Sequence, residues 1–131
     1  MTKGFDLAST YVHLGDGGSA VPLPDFEWSP SYLEAYGQRF PDTQPGRLVC
    51  LLDQTETWDQ WERHPAGEEL VVLISGRVDV VQDIDGTETL IELRPGEALV
   101  NPPDAWHRSI VHEPGRGIFV TPGEGTEHRP L

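Results

Sequence analysis

The sequence predicts an all-β domain of jelly-roll type, two antiparallel sheets closed over a shared interior, and three observations carry that prediction. From residue 47 onward, short apolar or alternating segments recur between Gly, Pro and Asp punctuation, the pattern of a sandwich or barrel. Asp85-Gly86 stands between two such segments, a strong signal for a two-residue hairpin. No stretch in that region carries the apolar period of a helix, so alternating β and α units are excluded.

Taken in order, residues 1–46 read as an irregular N-terminal arm, with Pro22, Pro24, Pro30, Pro41 and Pro45 and a Gly-Asp-Gly-Gly run from Gly15 to Gly18. One short helix is expected within it. Ser29 suits its cap and Pro30 its first position, Ser31 and Glu34 have capping-box spacing, and Gly37 suits its end. Trp28, Phe26 and Phe40 argue that the arm docks on something larger. The barrel is assigned to residues 47–122, with strands expected at Arg47 to Asp53, Thr55 to His64, Glu69 to Ser75, Arg77 to Gln82, Thr87 to Leu93, Ala98 to Val100, Trp106 to His112 and Gly117 to Thr121. Pro95-Gly96 has the residues of a type II turn. Residues 123–131 form a C-terminal tail, read as a frayed end. Its His128 and Arg129 are nevertheless close enough to the last strand to fold over the barrel mouth, where the arginine would hold a substrate carboxylate or phosphate.

Composition narrows the partners. The 131-residue chain carries 22 acidic against 9 basic side chains, a formal net charge of −13. Such a surface repels phosphate backbones and anionic headgroups, so neither nucleic acid nor membrane is an expected partner. The polar N-terminus lacks the apolar core of a signal peptide, and no run approaches a membrane span, which makes the cytoplasm the expected compartment. Cys50 is the single cysteine and lies in an apolar segment, where it reads as a buried, inert thiol. His13 and His112 have no partners by spacing and read as surface or structural residues.

The chemistry concentrates between Trp61 and Gly76. Strand alternation places Trp58, Gln60, Glu62 and His64 on one face, with Glu62 and His64 roughly 6.5 to 7 Å apart at Cα. Two side chains at that separation can converge on one ion. Pro65-Ala66-Gly67 then reverses the chain, and Glu69, which shares parity with Val71 and Leu73, is expected to return opposite His64. His107, after the rigid turn Asn101 to Trp106, is the fourth candidate. Two imidazoles and two carboxylates suit iron, manganese or zinc more than copper(I) or calcium. Trp58 and Gln60 line a pocket on this reading, although an inward Trp also reads as plain core. Trp61 and Trp106 have the opposite parity and are expected to pack outside.

These residues resemble the two motifs of the cupin family. Glu62-Arg63-His64, four residues, Glu69, six residues and Gly76 reproduce the first motif with Glu62 in place of its first His. Pro102 to His107, followed by Val111, is similar to the second, with Asp104 and Val111 replacing its Gly and Asn. Pro95-Gly96-Glu97 resembles the turn that precedes it. The resemblance implies a double-stranded β-helix over about Leu48 to Thr121, a divalent metal ion (Fe, Mn or Zn) held by His64, Glu69 and His107 with or without Glu62, and a homodimer, with the N-terminal arm a candidate to lie across the partner. It also implies an enzyme of isomerase, epimerase or dioxygenase type acting on a small oxygen-rich molecule such as a sugar or a hydroxy or keto acid. Glu62 then serves as fourth ligand or as catalytic base, and Trp58, Gln60, His128 and Arg129 as substrate contacts. A non-catalytic ligand-binding or sensing barrel, with or without metal, is the alternative.

Overall fold

The computed structural model describes residues 3–131; Met1 and Thr2, the start of the polar N-terminus, lie outside them. The described residues form strands β1 (Tyr11–Gly15), β2 (Ser19–Leu23), β3 (Arg47–Gln54), β4 (Gln60–Arg63), β5 (Glu69–Leu73), β6 (Arg77–Ile84), β7 (Thr87–Leu93), β8 (Ala98–Asn101), β9 (Trp106–Glu113), β10 (Gly115–Thr121) and β11 (Glu127–Pro130), with one α-helix, α1 (Pro30–Arg39), before β3. They make two antiparallel sheets. One has the order β2-β1-β3-β10-β5-β8 and the other β11-β4-β9-β6-β7. No helix among the described residues is long and apolar enough to cross a membrane.

The predicted turns form as their residues dictate. Ile84 pairs with Thr87 across Asp85 and Gly86, and both turn residues take positive φ, 53° and 84°, as a type I′ hairpin requires. Gly96 has φ 87°, and the turn around it closes by a 2.9 Å bond from the Glu97 amide to the Arg94 carbonyl. Between the sheets, Val71, Leu73, Val78, Val80, Leu93, Leu99 and Phe119 form the closed end of the core. Leu73, 1% exposed, alone contributes roughly 1.5–3 kcal/mol of burial.

The N-terminal arm is more regular than its prolines suggest. Gly17 and Gly18 take positive φ and turn the chain between β1 and β2, and β1 pairs with β3. Pro22 is accommodated because β2 is a sheet edge. The arm packs on its own barrel: Leu23 is buried with Leu48 and Cys50, and Phe26, Tyr36 and Phe40 cover them. Burial pushes the Cys50 thiol up to about 12. Helix α1 is capped by Ser29, whose hydroxyl accepts from the Tyr32 amide at 3.2 Å. It runs two residues past Gly37, because an interior glycine costs only ~1 kcal/mol and Tyr36 and Phe40 anchor the last turn to the barrel; Pro41 follows. His13 is buried, hydrogen-bonded to the Tyr36 hydroxyl and to Asp42 Oδ2 at 2.7 Å, and stacked on Phe40, so its role is to pin β1 to the helix.

Three further expectations are corrected. Residues 55–59 are a loop rather than the first half of a strand. There the Trp58 amide bonds the Ser109 carbonyl and the Thr57 hydroxyl accepts from the Val111 amide, local substitutes for a strand ladder. Glu69 does not return beside His64 within one sheet, because β4 and β5 belong to different sheets and the turn at residues 65–68 crosses between them. The tail is not frayed: β11 pairs with β4 from Glu127↔Arg63 to Pro130↔Gln60.

Candidate metal centre

The open end of the barrel collects the polar residues. β4 supplies Glu62 and β9 supplies His107 as direct partners in the ladder, His64 follows β4, and β5 begins with Glu69. One ligand atom each from Glu62, His64 and His107 lies within 4.8 Å of the others. His64 Nε2 stands 3.4 Å from Glu62 Oε2 and 3.2 Å from Glu69 Oε2. His107 Nε2 stands 3.7 Å from Glu62 and 3.3 Å from Glu69 Oε1. Glu69 is therefore beside both imidazoles, on the buried side of the cluster. Both imidazoles and Glu69 are nearly inaccessible, whereas Glu62 is a quarter exposed.

Supporting hydrogen bonds fix these groups. Glu69 accepts from Asn101 Nδ2 at 3.0 Å and from the Thr121 hydroxyl at 2.6 Å, and Asn101 is itself held by Gln82. The Thr126 hydroxyl donates to the Gly123 carbonyl at 2.8 Å, so it can only accept from His64 Nδ1, 2.9 Å away. A neutral His64 thus carries its proton on Nδ1 and directs its Nε2 lone pair at the cluster. Two carboxylates on the far side of a lone pair repel it unless a cation stands between them. The Nε2 atoms of His64 and His107 are both buried without a hydrogen-bond partner. These donors fit a divalent ion in number, chemistry and orientation.

Without an ion, a proton fills that need. Burial opposes the charged form of His64, but the carboxylates of Glu62 and Glu69 beside its ring raise it to about 9. Burial likewise opposes ionisation of Glu62 and Glu69, yet the imidazoles facing them hold both carboxyls below the usual range. The signs set a pH window. The raised His64 contributes stability fully below its ordinary 6.5 and loses it as pH rises through about 9, while the depressed carboxylates contribute above their ordinary 4.5 and lose it on acidification. Metal-free protein should therefore melt highest between about pH 4.5 and 6.5. An ion displacing that proton should move the optimum upward and release protons on binding; identical pH–melting profiles with and without metal would contradict this.

The remaining predicted site residues separate into two groups. Trp58 packs beside His107, ring centroids 6.1 Å apart, and Gln60 lies exposed at the mouth. His128 Nε2 bonds Glu62 Oε1 at 3.1 Å, so it orients a candidate ligand. Arg129 is not brought to the mouth, because alternation along β11 turns it to the opposite face from His128. Its guanidinium bonds Asp83 at 3.0 Å and lies over both Trp61 and Trp106. Arg63 and Arg108 cover the same tryptophans, forming an outer layer that clamps β11. His112 is not solitary either, bonding Asp79 at 2.6 Å. Sequence reasoning missed Asn101, Thr121 and Thr126. Asn101 alternates with buried Leu99, and Thr121 with Phe119, so parity alone would have turned the first two inward.

Between the centre and α1 lies a chamber of about 1280 Å³. Leu48, Leu52, Trp58 and Phe119 form part of its wall, and residues 123–126 part of its rim.

Comparison with known proteins agrees with this architecture. The family described as a cupin domain matches residues 48–122. No curated protein matches. Among solved structures, hydroquinone 1,2-dioxygenase PnpCD in complex with Fe3+ has a TM-score of 0.52 and 16% identity over 56% of this chain and 24% of its own. A cupin-2 domain containing protein from Shewanella frigidimarina has a TM-score of 0.48 and 18% identity, over 58% of this chain and 70% of its own. Hydroxypropylphosphonic acid epoxidase from S. wedmorenis, in complex with fosfomycin, has a TM-score of 0.49 and 15% identity, over 57% of this chain and 43% of its own. The chain thus spans less than half the length of the epoxidase. At 16% identity, the likeness to the dioxygenase is one of fold.

Proposed function

The chain belongs to the cupin family, and on that premise we propose that it is a metal-dependent enzyme acting on a small molecule that bears a carbonyl or hydroxyl oxygen. The observation that carries this reading is the pair of unpartnered, buried Nε2 atoms facing Glu62, with the His64 tautomer set by Thr126. His64, His107 and Glu62 would hold a divalent iron, manganese or zinc ion, with Glu69 beside them. Such an ion, when bound, supplies Lewis-acid polarisation of a substrate oxygen and, as iron, the capacity for dioxygen chemistry.

The protein's own groups do the rest. Trp58, Leu52 and Phe119 exclude water from the chamber wall next to the centre. Glu62, gripped by three imidazoles, is a weak proton acceptor and serves better as a ligand than as a base. His128, half-exposed and bonded to Glu62, is positioned to carry a proton between the mouth and solvent. The test is metal analysis of protein purified without added metal, melting shifts with Fe(II), Mn(II) and Zn(II), and then turnover assays with and without dioxygen. One ion per chain and turnover are expected. No ion and no shift would sink the reading, and an ion without turnover would make the barrel a binding module.

The outer face of the six-stranded sheet supports a homodimer. Val12, Val49, Val120, Leu70 and Val100 stand in register across five strands, and Leu51, Ile118, Val72 and Ala98 form a second row. An antiparallel sheet with one face in water alternates apolar with polar residues; this one does not, and Val100 is 46% exposed. Light scattering should give twice the 14.5 kDa chain mass, and Val100→Glu should return it to one. A wild-type mass of 14.5 kDa would remove the dimer.

A further inference from the structure

We infer that the chamber selects an organic cation, a small amine with an apolar body, and rejects carboxylates and phosphates. The inference rests on the metal-centre reading above and narrows its substrate. No lysine or arginine lines the chamber among the described residues, while seven carboxylates do. Two of these, Glu62 and Glu69, sit at the centre and would cancel a divalent charge, so an occupied centre offers an anion no net attraction. Asp42 is engaged by His13. The other four, Glu34, Glu56, Asp59 and Glu124, are exposed at the rim, where their negative potential concentrates cations.

An acidic rim alone would say little. Here it surrounds an apolar cavity whose floor holds the buried, unpartnered His64 Nε2, a feature that already calls for an occupant. The wall adds the aromatic rings of Tyr36 and Trp58, whose quadrupoles attract ammonium groups, while Phe40 is covered by His13 and Arg39. Arg129 is spent on Asp83 and the tryptophans, and Arg39, between the lining residues Gln38 and Phe40, lies over the Phe40 ring. The hydroxy and keto acids that the cupin resemblance implies therefore fit poorly, and an amino alcohol or amino ketone fits well.

The experiment compares three probes on one skeleton, 2-phenylethylamine, 2-phenylethanol and phenylacetate, by calorimetry on the full chain before and after metal loading. The amine should bind about tenfold more tightly than the alcohol, and phenylacetate should bind more weakly than either. The amine's advantage should shrink with added salt, as the screening length shortens and the rim's field reaches less far. The double variant Glu56→Gln/Asp59→Asn should reduce that advantage severalfold while leaving the alcohol's affinity unchanged. Phenylacetate binding as tightly as the amine, or no binding by any probe, overturns the inference, as does an advantage indifferent to both salt and the double variant. Metal content measured on the same samples separates the two claims. An amine preference in protein that takes up no ion leaves the charge selection standing and removes the metal reading; a loaded centre that prefers the acid does the reverse.

Discussion

His64→Ala should lower affinity for a divalent ion by roughly a hundredfold or more while leaving the barrel folded. Structural four-ligand sites bind with about 10–16 kcal/mol, so one ligand carries on the order of 3 kcal/mol. His64 should sit at the upper end of that share. It is the ligand whose lone pair is locked toward the cluster by Thr126, and its removal leaves Glu62 and Glu69 facing each other across a void. The fold should survive because the closed end of the core, around Leu73 and Phe119, does not include it. Metal titration with circular dichroism on the same sample reads both quantities. A variant that binds one ion with unchanged affinity would show that the centre lies elsewhere.

Gly76→Ala should cost about 3 kcal/mol or more, a large share of the ~5–15 kcal/mol that a domain possesses. Two penalties coincide there. Gly76 has φ 83°, a conformation that costs an alanine about 1–2 kcal/mol. An added Cβ would also lie 2.5 Å from the Glu113 carbonyl oxygen and 2.8 Å from that of Pro114. Both are backbone atoms and cannot rotate away. Gly96 provides the control, since its φ of 87° is similar but nothing lies within 4 Å of its would-be Cβ, so Gly96→Ala should pay only the conformational part. Urea unfolding of the two variants separates the terms, and equal losses would show that the close approach at Gly76 is immaterial.

How far the sequence was legible depended on the range of the interactions. The hairpin at Asp85-Gly86, the turn at Gly96 and the cap at Ser29 are local and follow from residue type. Gly76 was visible as a motif residue, but its reason, the backbone of residues 113–114 passing beside it, belongs to another strand. The β1–β2 hairpin was missed although Asp16-Gly17 stands between Tyr11-Val12-His13-Leu14 and Val21; the surrounding prolines masked an alternation that was present. β11 could not have been read locally, since Glu127 to Pro130 has little strand propensity and is held by Trp61, Trp106 and Asp83. At the site, parity along one strand brought Glu62 and His64 together, and parity also turned Glu69 inward. The path by which Glu69 reaches them, across the gap between two sheets, is tertiary and left no mark in spacing.

The placement of β4 between β9 and β11 also bears on when the site comes into being. Glu62 and His64 lie mid-chain, His107 some forty residues later, and Thr126 and His128, which orient the first two, close to its end. Contacts of such sequence separation form slowly and late. An ion therefore cannot seed folding by gathering its ligands; it meets a barrel that is already closed. Its effect should fall on the unfolding rate and leave the refolding rate nearly unchanged, the kinetic mark of interactions absent from the transition state.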